Sequence, residues 1–484
     1  MGQTQEVILR CLSQESILTE RYLRNFTERW INVRRFAPGV VILGIFLLLL
    51  TENVRTVGAE TVTGKEQGGY EAQAAPSSDG TSGKRESFWE TLPFELRGFL
   101  EARGGLRTQD DPHESKTATL EETRLQMHLF KALDWARFRV KSDFLYDGVV
   151  EGADVDLREA NVILTPFEFM ELKAGRQILT WGTGDYIFIN DLFPKDYKSF
   201  FIGRDDEYLK APSDALKTGF YTDAFNLNFV YIPRFNPDRF IDGKGLSYFN
   251  PQTGGLAGEE AVVDPQKRNE WLGDSEIALR LYRDIKSYGL AMYGYHGFWK
   301  SPVGFDPQVG AATFPRLSVY GLSVRGTVWK GIGNFEMGYY DSRDDQNGEN
   351  PFIPNSQFRY LAGYEQELAK DFTAGVQYYL EQTLQYGAYR RTLPLGMQAA
   401  DEFRQVITLR LTKLLLYQNL KLSLFTFYSP SDQDVYIRPN VHYKITDHWS
   451  VEGGANIFAG RNNHTFFGQF KNDTNVYSGV RWSF

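Results

Sequence analysis

The segment Ala136-Arg137-Phe138-Arg139-Val140-Lys141-Ser142-Asp143-Phe144-Leu145-Tyr146 carries two chemically opposite rows of side chains. Positions 137, 139, 141 and 143 are charged, whereas positions 136, 138, 140, 144 and 146 are apolar or aromatic. Because successive side chains of a β-strand point to opposite faces, this pattern predicts a strand with one charged and one apolar face. A charged row behind bulky apolar groups fits water on one side of the strand and lipid on the other.

The same alternation recurs in about eighteen segments between residues 94 and 484. Their connections alternate in length: they are tight after even-numbered segments, as at Lys330-Gly331, and longer after odd ones, notably at 182–214 and 234–274. An even number of strands with short turns at one end and long loops at the other is typical of a membrane-spanning barrel. We therefore predict an all-β fold, a transmembrane antiparallel β-barrel of about 18 strands (16–20 within the error of such boundaries), with both termini periplasmic.

The last residues continue the pattern, because Val480, Trp482 and Phe484 alternate with Arg481 and Ser483. This ending resembles the closing strand of bacterial outer-membrane β-barrels, whose terminal Phe is read by the barrel assembly machinery. The resemblance implies that Trp482 and Phe484 form an assembly signal and that this machinery is a partner. An ordinary edge strand of a soluble sheet is the alternative reading.

The N-terminal region has the pattern of a secretory signal. Arg34-Arg35 precede the apolar run 39–50, and Val57-Gly58-Ala59 supply a small-residue cleavage site. We predict a signal peptide at 1–59, a flexible periplasmic segment at 60–93 and the barrel at 94–484. The Gly/Ser/Gln/Glu-rich stretch after residue 60 favours a disordered linker. An N-terminal plug that enters the barrel is the alternative.

Composition excludes several classes of partner and cofactor. Removal of 1–59 takes away seven Lys+Arg and five Asp+Glu, which leaves 46 against 56 and a net charge of −10. Such acidity argues against nucleic acid as a partner. Cys11 is the one cysteine of the sequence and lies in the predicted signal, so the mature chain would have neither disulfides nor thiolate metal sites. We expect no cofactor and no metal.

Barrel size bears on function, because 16 to 18 strands leave an aqueous channel whereas eight do not. The sequence from Leu172-Lys173-Ala174-Gly175-Arg176-Gln177 to Thr180-Trp181-Gly182, with the loop segment 190–196, resembles the alginate-export porins and a related family of proteobacterial outer-membrane barrels. The resemblance covers about forty residues, and alginate-binding positions have no match elsewhere in the chain. It implies a porin in the outer membrane of a Gram-negative bacterium.

Assigning faces strand by strand predicts a channel wall rich in positive charge. Rings of Arg and Lys favour anions in a pore, and Arg forks suit carboxylate and phosphate. Pairing of these cations with acids on neighbouring strands, which would only brace the barrel, is the alternative. The predicted pore-lining residues are Arg97, Arg103, Arg124, Arg137, Arg139, Lys141, Lys173, Arg176, Arg280, Arg325, Arg359, Arg404, Arg410, Arg438 and Arg481, with Lys217 and Lys444 on the same faces.

Arg176 is a special case, because it breaks the alternation set by Glu171 and Lys173. A bulge at Gly175 would return its side chain to the lumen. An interfacial arginine that extends its head group to the membrane surface is the alternative.

The connection 182–214 is too long for a simple hairpin, and loops of that length are usually functional. We predict that it folds into the barrel and narrows the channel. Its candidate constriction residues are Tyr186, Phe188, Asp191, Phe193, Lys195 and Asp196.

Catalysis finds little support, since none of the six histidines lies in a recognisable catalytic motif, and we predict that the protein is not an enzyme. The acidic segment 341–350 reads as a solvated loop, with calcium binding as the alternative. The sequence thus predicts a porin for diffusion or export of polar, anionic solutes, surrounded by outer-membrane lipid and lipopolysaccharide. A facilitator for hydrophobic compounds and a structural or receptor barrel acting through its loops remain alternatives. The oligomeric state, the solute and the direction of transport stay open.

Overall fold

A computed structural model describes residues 94–394 and 397–484. The predicted signal peptide at 1–59 and the predicted linker at 60–93 lie outside these residues. The strands are β1 (Glu95–Arg107), β2 (Ala118–Ala132), β3 (Ala136–Asp147), β4 (Gly152–Phe167), β5 (Met170–Ile178), β6 (Pro212–Tyr221), β7 (Asn226–Ile232), β8 (Tyr248–Asn250), β9 (Gly255–Ala257), β10 (Glu276–Ile285), β11 (Tyr288–Phe298), β12 (Gly304–Asp306), β13 (Ala311–Thr313), β14 (Arg316–Val328), β15 (Gly331–Ser342), β16 (Gln357–Ala369), β17 (Phe372–Thr383), β18 (Phe403–Leu415), β19 (Leu420–Ser429), β20 (Asp434–Lys444), β21 (Trp449–Gly460) and β22 (Asn475–Ser483).

Eighteen of these strands form one closed antiparallel sheet, and the pairs β8–β9 and β12–β13 are small hairpins in loops. Each barrel strand pairs with its neighbours in chain order, and β22 closes the barrel on β1 from Phe99↔Ser483 to Arg107↔Asn475. The predicted all-β barrel of 18 strands is therefore confirmed. Closure leaves no sheet edge unpaired, which is the condition for a sheet to cross a membrane.

The connections separate the two ends of the barrel. At one end the turns are two to four residues, as at 286–287, 329–330 and 370–371. At the other end most connections are long, above all 179–211 and 233–275, although 148–151 and 430–433 are as short as turns. The first and last strands begin and end at the short-turn end, where Gly98 and Phe484 exchange two backbone hydrogen bonds of 3.0 Å.

The two faces of the strands differ as the sequence predicts. On β10, Ile277, Leu279 and Leu281 point outward and are about 40% exposed, whereas Ala278 between them is buried. On β3, Phe138 and Val140 are exposed on the outer face while Asp143 is fully buried inside. An apolar outer surface of this kind needs a hydrocarbon environment.

Aromatic side chains mark the short-turn rim of that outer surface. Trp135, Trp329 and Trp449 are all strongly exposed there, and the ring of Trp329 lies 6.3 Å from that of Tyr364. Their amphipathic rings suit the boundary between hydrocarbon and water.

The loops contain two short helices, α1 (Tyr197–Ile202) and α2 (Tyr386–Thr392), and three 3-10 turns at Asp206–Leu209, Glu259–Ala261 and Gly468–Phe470. Within the described part of the chain, no helix is long and apolar enough to cross a membrane. The largest buried apolar cluster lies inside the barrel, where residues of the 179–211 loop pack against inward-facing side chains of the strands.

Candidate functional site

The connection 179–211, here called the plug loop, folds back into the barrel. Ile189 and Phe193 are almost completely buried in it, and the hydroxyl of Tyr340 on β15 donates to the carbonyl of Ile189 over 2.6 Å. Apolar groups in so long a loop cannot stay in water without cost, and the inner wall supplies their burial. All six predicted constriction residues belong to this loop.

Helix α1 sits at the centre of the plug loop. Asp196 caps its N-terminus by accepting from the backbone N–H of Ser199 over 2.7 Å. Gly203 ends the helix with φ +89, and a Cβ at this position would overlap the ring of Tyr477 on β22. Both the left-handed backbone and the close approach therefore require glycine here.

The apolar face of α1 packs against an aromatic wall formed by β19–β22. The ring of Phe201 lies 5.5 Å from both Tyr436 and Phe458, and the ring of Phe200 lies 5.7 Å from Tyr436. The ring of Tyr186 lies 4.6 Å from Phe425. Aromatic pairs of this kind contribute about 0.5–1.5 kcal/mol each beyond their buried area, so the plug loop is held firmly on this side.

Three consecutive acids after α1 pair with three different strands. Asp205 lies 3.2 Å from Arg481 on β22, Asp206 lies 2.5 Å from Arg438 on β20, and Glu207 lies 2.9 Å from Lys141 on β3. Burial by itself raises the pKa of Glu207, but Lys141, Arg481 and Arg158 together outweigh it and the net pKa is lowered. The three acids thus join the plug loop to the cationic wall.

The backbone around these acids is also bound. Arg103 on β1 donates to the carbonyl of Gly203 over 2.9 Å, and Arg158 on β4 donates to the carbonyls of Glu207 and Lys210 over 2.9 and 3.0 Å. Arg204 pairs with Glu122 on β2. Residues 203–210 therefore join β20, β22 and β1–β4, and we call this segment the plug hub.

The opposite half of the plug loop is held by one carboxylate. Glu336 on β15 accepts from the backbone N–H of Gly184 over 3.0 Å and from the side-chain amide of Asn190 over 2.9 Å. Asp185 lies 3.5 Å from Arg410 on β18, and burial raises its pKa. The plug loop consequently spans the whole width of the barrel.

Further contacts fix the loop internally. Lys195 is buried, lies 3.1 Å from Asp191 and stacks its ammonium 4.6 Å from the ring of Phe188. The ring of Phe193 lies 4.9 Å from Trp181. The plug loop is therefore a packed element with its own core.

A second layer covers the long-loop end. The segment 235–247 of the 233–275 loop crosses the mouth, and Arg239 makes a two-pronged ion pair with Asp156 on β4 at 2.7 and 2.8 Å. The same guanidinium lies 3.4 Å from Asp196 in the plug loop. The outer layer is thereby connected to the plug.

The far end of this segment is held by a group that we call the mouth latch: Arg107, Glu114, Gly245, Ser247 and Asp473. Arg107 donates to Asp473 and to the carbonyl of Gly245 over 3.1 Å each. Ser247 donates to Asp473 over 3.0 Å, and the N–H of Gly245 donates to Glu114 over 2.9 Å. Three loops, 108–117, 233–275 and 461–474, meet at this point.

The mouth latch places several carboxyl groups close together in a buried region. Burial raises the pKa of Asp473 to about 8, helped by the nearby Asp111 and opposed by Arg107. Burial likewise raises the pKa of Glu114 to about 7. Single oxygens of Asp111 and Glu114 are buried and, within the described residues, make no hydrogen bond. A protonated carboxyl suits such an environment better than a carboxylate.

Most predicted pore-lining cations are paired within the structure. Thirteen of the fifteen lie within 4 Å of a carboxylate, so the bracing alternative accounts for the greater part of the set. These thirteen are Arg97, Arg103, Arg124, Arg137, Arg139, Lys141, Lys173, Arg176, Arg359, Arg404, Arg410, Arg438 and Arg481. Lys444, which was assigned to the same faces, pairs with Asp447 at the short-turn end.

Arg176 is placed differently from the prediction. The registers of β5 with β4 and β6 run through Gly175 without interruption, so the predicted bulge there was wrong. By alternation, Arg176 lies on the same face of β5 as Leu172 and Ala174, and Lys173 lies on the other face. There the Arg176 guanidinium lies 3.2 Å from the carboxylate of Asp214. The positive φ of Gly175 changes the local twist without changing the count of residues, so it does not move Arg176 to the lumen.

Three of the cations predicted to face the lumen have no carboxylate within 4 Å among residues 94–394 and 397–484: Lys217 on β6, Arg280 on β10 and Arg325 on β14. The guanidinium of Arg280 lies 4.3 Å from the ring of Tyr282, on the same inner face. The buried inward acids Glu101, Glu122, Asp143 and Glu276, in contrast, each lie within 4 Å of a cation, and Glu336 accepts from amide donors. The wall between β6 and β14 therefore carries positive charge that the protein does not itself neutralise.

A cavity of about 160 Å³ lies between the plug loop and the wall of β18–β21. Its roof is formed by Tyr186, Asp205 and Asp206 of the plug loop. Its wall is formed by Arg410, Thr412, Lys421, Ser423, Leu424, Phe425, Arg438, Asn440, His442 and Glu452. In the described part of the chain, no group of three His, Cys, Asp or Glu side chains is arranged to hold a metal ion.

Sequence reasoning missed several of these residues. Arg158 is fully buried beside the plug hub because β4 has a register shift opposite Lys141 and Ser142, which an alternation rule cannot anticipate. Arg204, Arg239 and Asp473 lie in loops, where no periodicity identifies their partners. The aromatic residues of β19–β22 on inward faces were a usable signal, since aromatic rings in a wet lumen need a partner to cover them.

No protein-family model matches this chain, and no curated protein matches it. Solved structures with a similar arrangement include OccAB3 of Acinetobacter baumannii, with 12% identity, TM-score 0.48 and coverage of 80% of this chain and 99% of that one. OccD3 (OpdP) of Pseudomonas aeruginosa has 11% identity, TM-score 0.47 and coverage of 80% and 91%. Wzi of Escherichia coli, a carbohydrate-binding outer-membrane β-barrel involved in group 1 capsule assembly, has 10% identity, TM-score 0.45 and coverage of 81% and 85%.

Proposed function

We propose that the protein is a channel in the outer membrane of a Gram-negative bacterium that passes small polar solutes and favours anions. In this proposal the short turns and both termini lie in the periplasm, and the plug loop lies near the extracellular mouth of the barrel, as the barrel class requires. The apolar outer face contacts lipid and lipopolysaccharide, and the assembly machinery reads the terminal aromatic residues. The plug loop narrows the cross-section without a cofactor or a catalytic step.

The observation that carries the preference for anions is the uncompensated charge of Lys217, Arg280 and Arg325. Paired arginines present little net field, whereas these three side chains lack a carboxylate within 4 Å among the described residues. Cations on a pore wall attract anions. Because the lumen is wet, the attraction is screened over about 8 Å at physiological salt, so the preference is moderate.

The competing function, a facilitator for hydrophobic compounds, needs an open apolar surface in the lumen. The aromatic wall that could supply one is covered by Phe200 and Phe201 of the plug loop. The resemblance of 172–196 to the alginate-export porins does not carry over alginate as a substrate, because alginate-binding positions have no match elsewhere in the chain.

The test is the reversal potential of the purified full-length protein in planar bilayers under a KCl gradient. We expect chloride to be preferred over potassium, and the double variant Arg280→Gln and Arg325→Gln to reduce that preference. Arg283→Gln is the matched control, because it removes the same charge from the outward face of β10.

A channel that already prefers potassium would refute the anion preference. A barrel that assembles but conducts no ions would favour the structural or receptor alternative instead. Equal effects of the R280Q/R325Q pair and of R283Q would show that the luminal cations do not set selectivity.

A further inference from the structure

We propose that the cavity under the plug loop is a binding site for a small phosphorylated polyol, a three-carbon sugar alcohol phosphate being the simplest example. The site deepens the proposed channel function, on which it rests, by naming the class of solute that the channel holds in transit. The polar atoms around the cavity fall into two groups: some already have a hydrogen-bond or ion-pair partner, and others have none.

The acids that border the cavity are fully used. Asp206 accepts from Arg438 over 2.5 Å and from the hydroxyl of Tyr186 over 2.6 Å. Glu452 accepts from Arg103 over 2.5 Å and from Asn440 over 2.6 Å. Asp205 accepts from the N–H of Glu207 and pairs with Arg481. Each of the six carboxylate oxygens thus has a partner, and each carboxylate is paired with an arginine that offsets its charge.

Several donors, in contrast, are free. Neither Lys421 nor His442 has an ion-pair or hydrogen-bond partner in the described part of the chain, and both line the cavity. The Nε atom of Arg438 is buried and likewise has no acceptor among the described residues. A buried donor without an acceptor is costly, so a ligand that supplies acceptors is favoured.

The strand registers arrange the polar groups that line the cavity in rows. Lys421 on β19 lies directly opposite His442 on β20, and Ser423 lies opposite Asn440 in the next inward row. Thr412 on β18 lies opposite Ser423 and extends that row. Side chains directly opposite each other have Cβ atoms about 4.5–5.5 Å apart, and successive inward rows are about 6.8 Å apart.

This order of rows matches one ligand. The Lys421–His442 pair can place an ammonium and an imidazole N–H on one group, which fits the several oxygens of a phosphate better than a single carboxylate. The next row, the hydroxyl groups of Thr412 and Ser423 and the side-chain carbonyl of Asn440, fits the hydroxyl groups of a polyol. A volume of about 160 Å³ corresponds to about five water molecules of about 30 Å³, which suits a three-carbon chain.

The test is isothermal titration calorimetry of the full-length protein in detergent with four compounds: glycerol 3-phosphate, inorganic phosphate, glycerate and glycerol. We expect glycerol 3-phosphate to bind most tightly and glycerol not to bind. Lys421→Gln and His442→Gln should each weaken its binding about 10-fold, the usual effect of losing one charged hydrogen bond. Lys330→Gln, an equal loss of charge in a short turn, should leave the affinity unchanged.

Heat-modifiable migration verifies that each variant is a folded barrel. Unchanged affinity in the double variant K421Q/H442Q would overturn the site. If glycerate bound more tightly than glycerol 3-phosphate, recognition of a phosphate would be refuted. If inorganic phosphate bound as tightly as glycerol 3-phosphate, recognition of the polyol part would be refuted. Calorimetry needs no conduction, so binding in a protein without anion preference would refute the proposed function alone, whereas anion-selective conduction without binding would refute the site alone.

Discussion

The plug hub and the mouth latch both close the long-loop end, but they hold their carboxylates in opposite states. At the plug hub each acid has its own cation, and Lys141 lowers the pKa of Glu207 despite burial. At the mouth latch Arg107 pairs with Asp473, yet burial, helped by the nearby Asp111, raises the pKa of Asp473 to about 8. The ratio of cations to acids, rather than burial alone, decides the direction of the shift.

This difference gives the two regions opposite responses to pH. A lowered pKa stabilises docking above the ordinary pKa and loses that contribution as pH falls through the lowered value. A raised pKa stabilises docking below the ordinary pKa and loses that contribution as pH rises through the raised value. Acid should therefore loosen the plug hub, and alkali should loosen the mouth latch.

The largest expected effect comes from removing the plug loop. Replacement of residues 186–206 by a short glycine–serine linker should raise single-channel conductance several-fold, because the loop spans the lumen. Shortening the β8–β9 hairpin at 251–254 is the control and should leave conductance unchanged. Equal conductance of both variants would mean that the plug loop does not limit the pore.

The second effect is loss of the plug-hub charges. The double variant Asp206→Asn and Glu207→Gln leaves Arg438 and Lys141 unpaired and should weaken docking by about 1–3 kcal/mol. A spin label at Lys198 on α1 should become mobile in its electron paramagnetic resonance spectrum. Asp473→Asn serves as control, and an immobile label in the double variant would show that aromatic packing alone holds the loop.

The pH response separates the regions in the otherwise unaltered protein. A spin label at Lys198 should gain mobility as pH falls below about 4, the ordinary range for Glu. A label at Lys244, next to the mouth latch, should gain mobility as pH rises through about 8, the value for Asp473. If both labels gained mobility on the same change of pH, the opposite pH responses of the plug hub and the mouth latch would be refuted.

The smallest effect tests a single group. Asp473→Asn keeps the shape of the side chain but cannot ionise, so the label at Lys244 should no longer respond to alkaline pH. Glu151→Gln, which removes an exposed partner of Lys116, should preserve the response. Persistence of the alkaline transition in D473N would assign it to Glu114 or to another group.

The prediction from sequence succeeded where a repeating physical constraint acts on every strand. Alternation on β3 and β10 and the contrast between turns and long loops follow from lipid outside and polar groups inside, so they are visible residue by residue. Arg176 shows the limit of this reasoning. The broken alternation at Arg176 was interpreted as a bulge at Gly175, and only the hydrogen-bonded register shows that no residue is inserted. Arg158 shows the opposite case, because a register shift is present at this residue but the local sequence does not reveal it.

The sequence by itself determined a barrel of about 18 strands, its two faces and the presence of a long loop, because periodicity and connection length are local properties. Tertiary structure decided which charges remain free. Asp205, Asp206 and Glu207 stand far from Arg481, Arg438 and Lys141 in the chain, and folding of the plug loop alone brings them together. Whether an arginine braces the barrel or faces a solute depends on partners that neighbouring positions in the sequence do not specify.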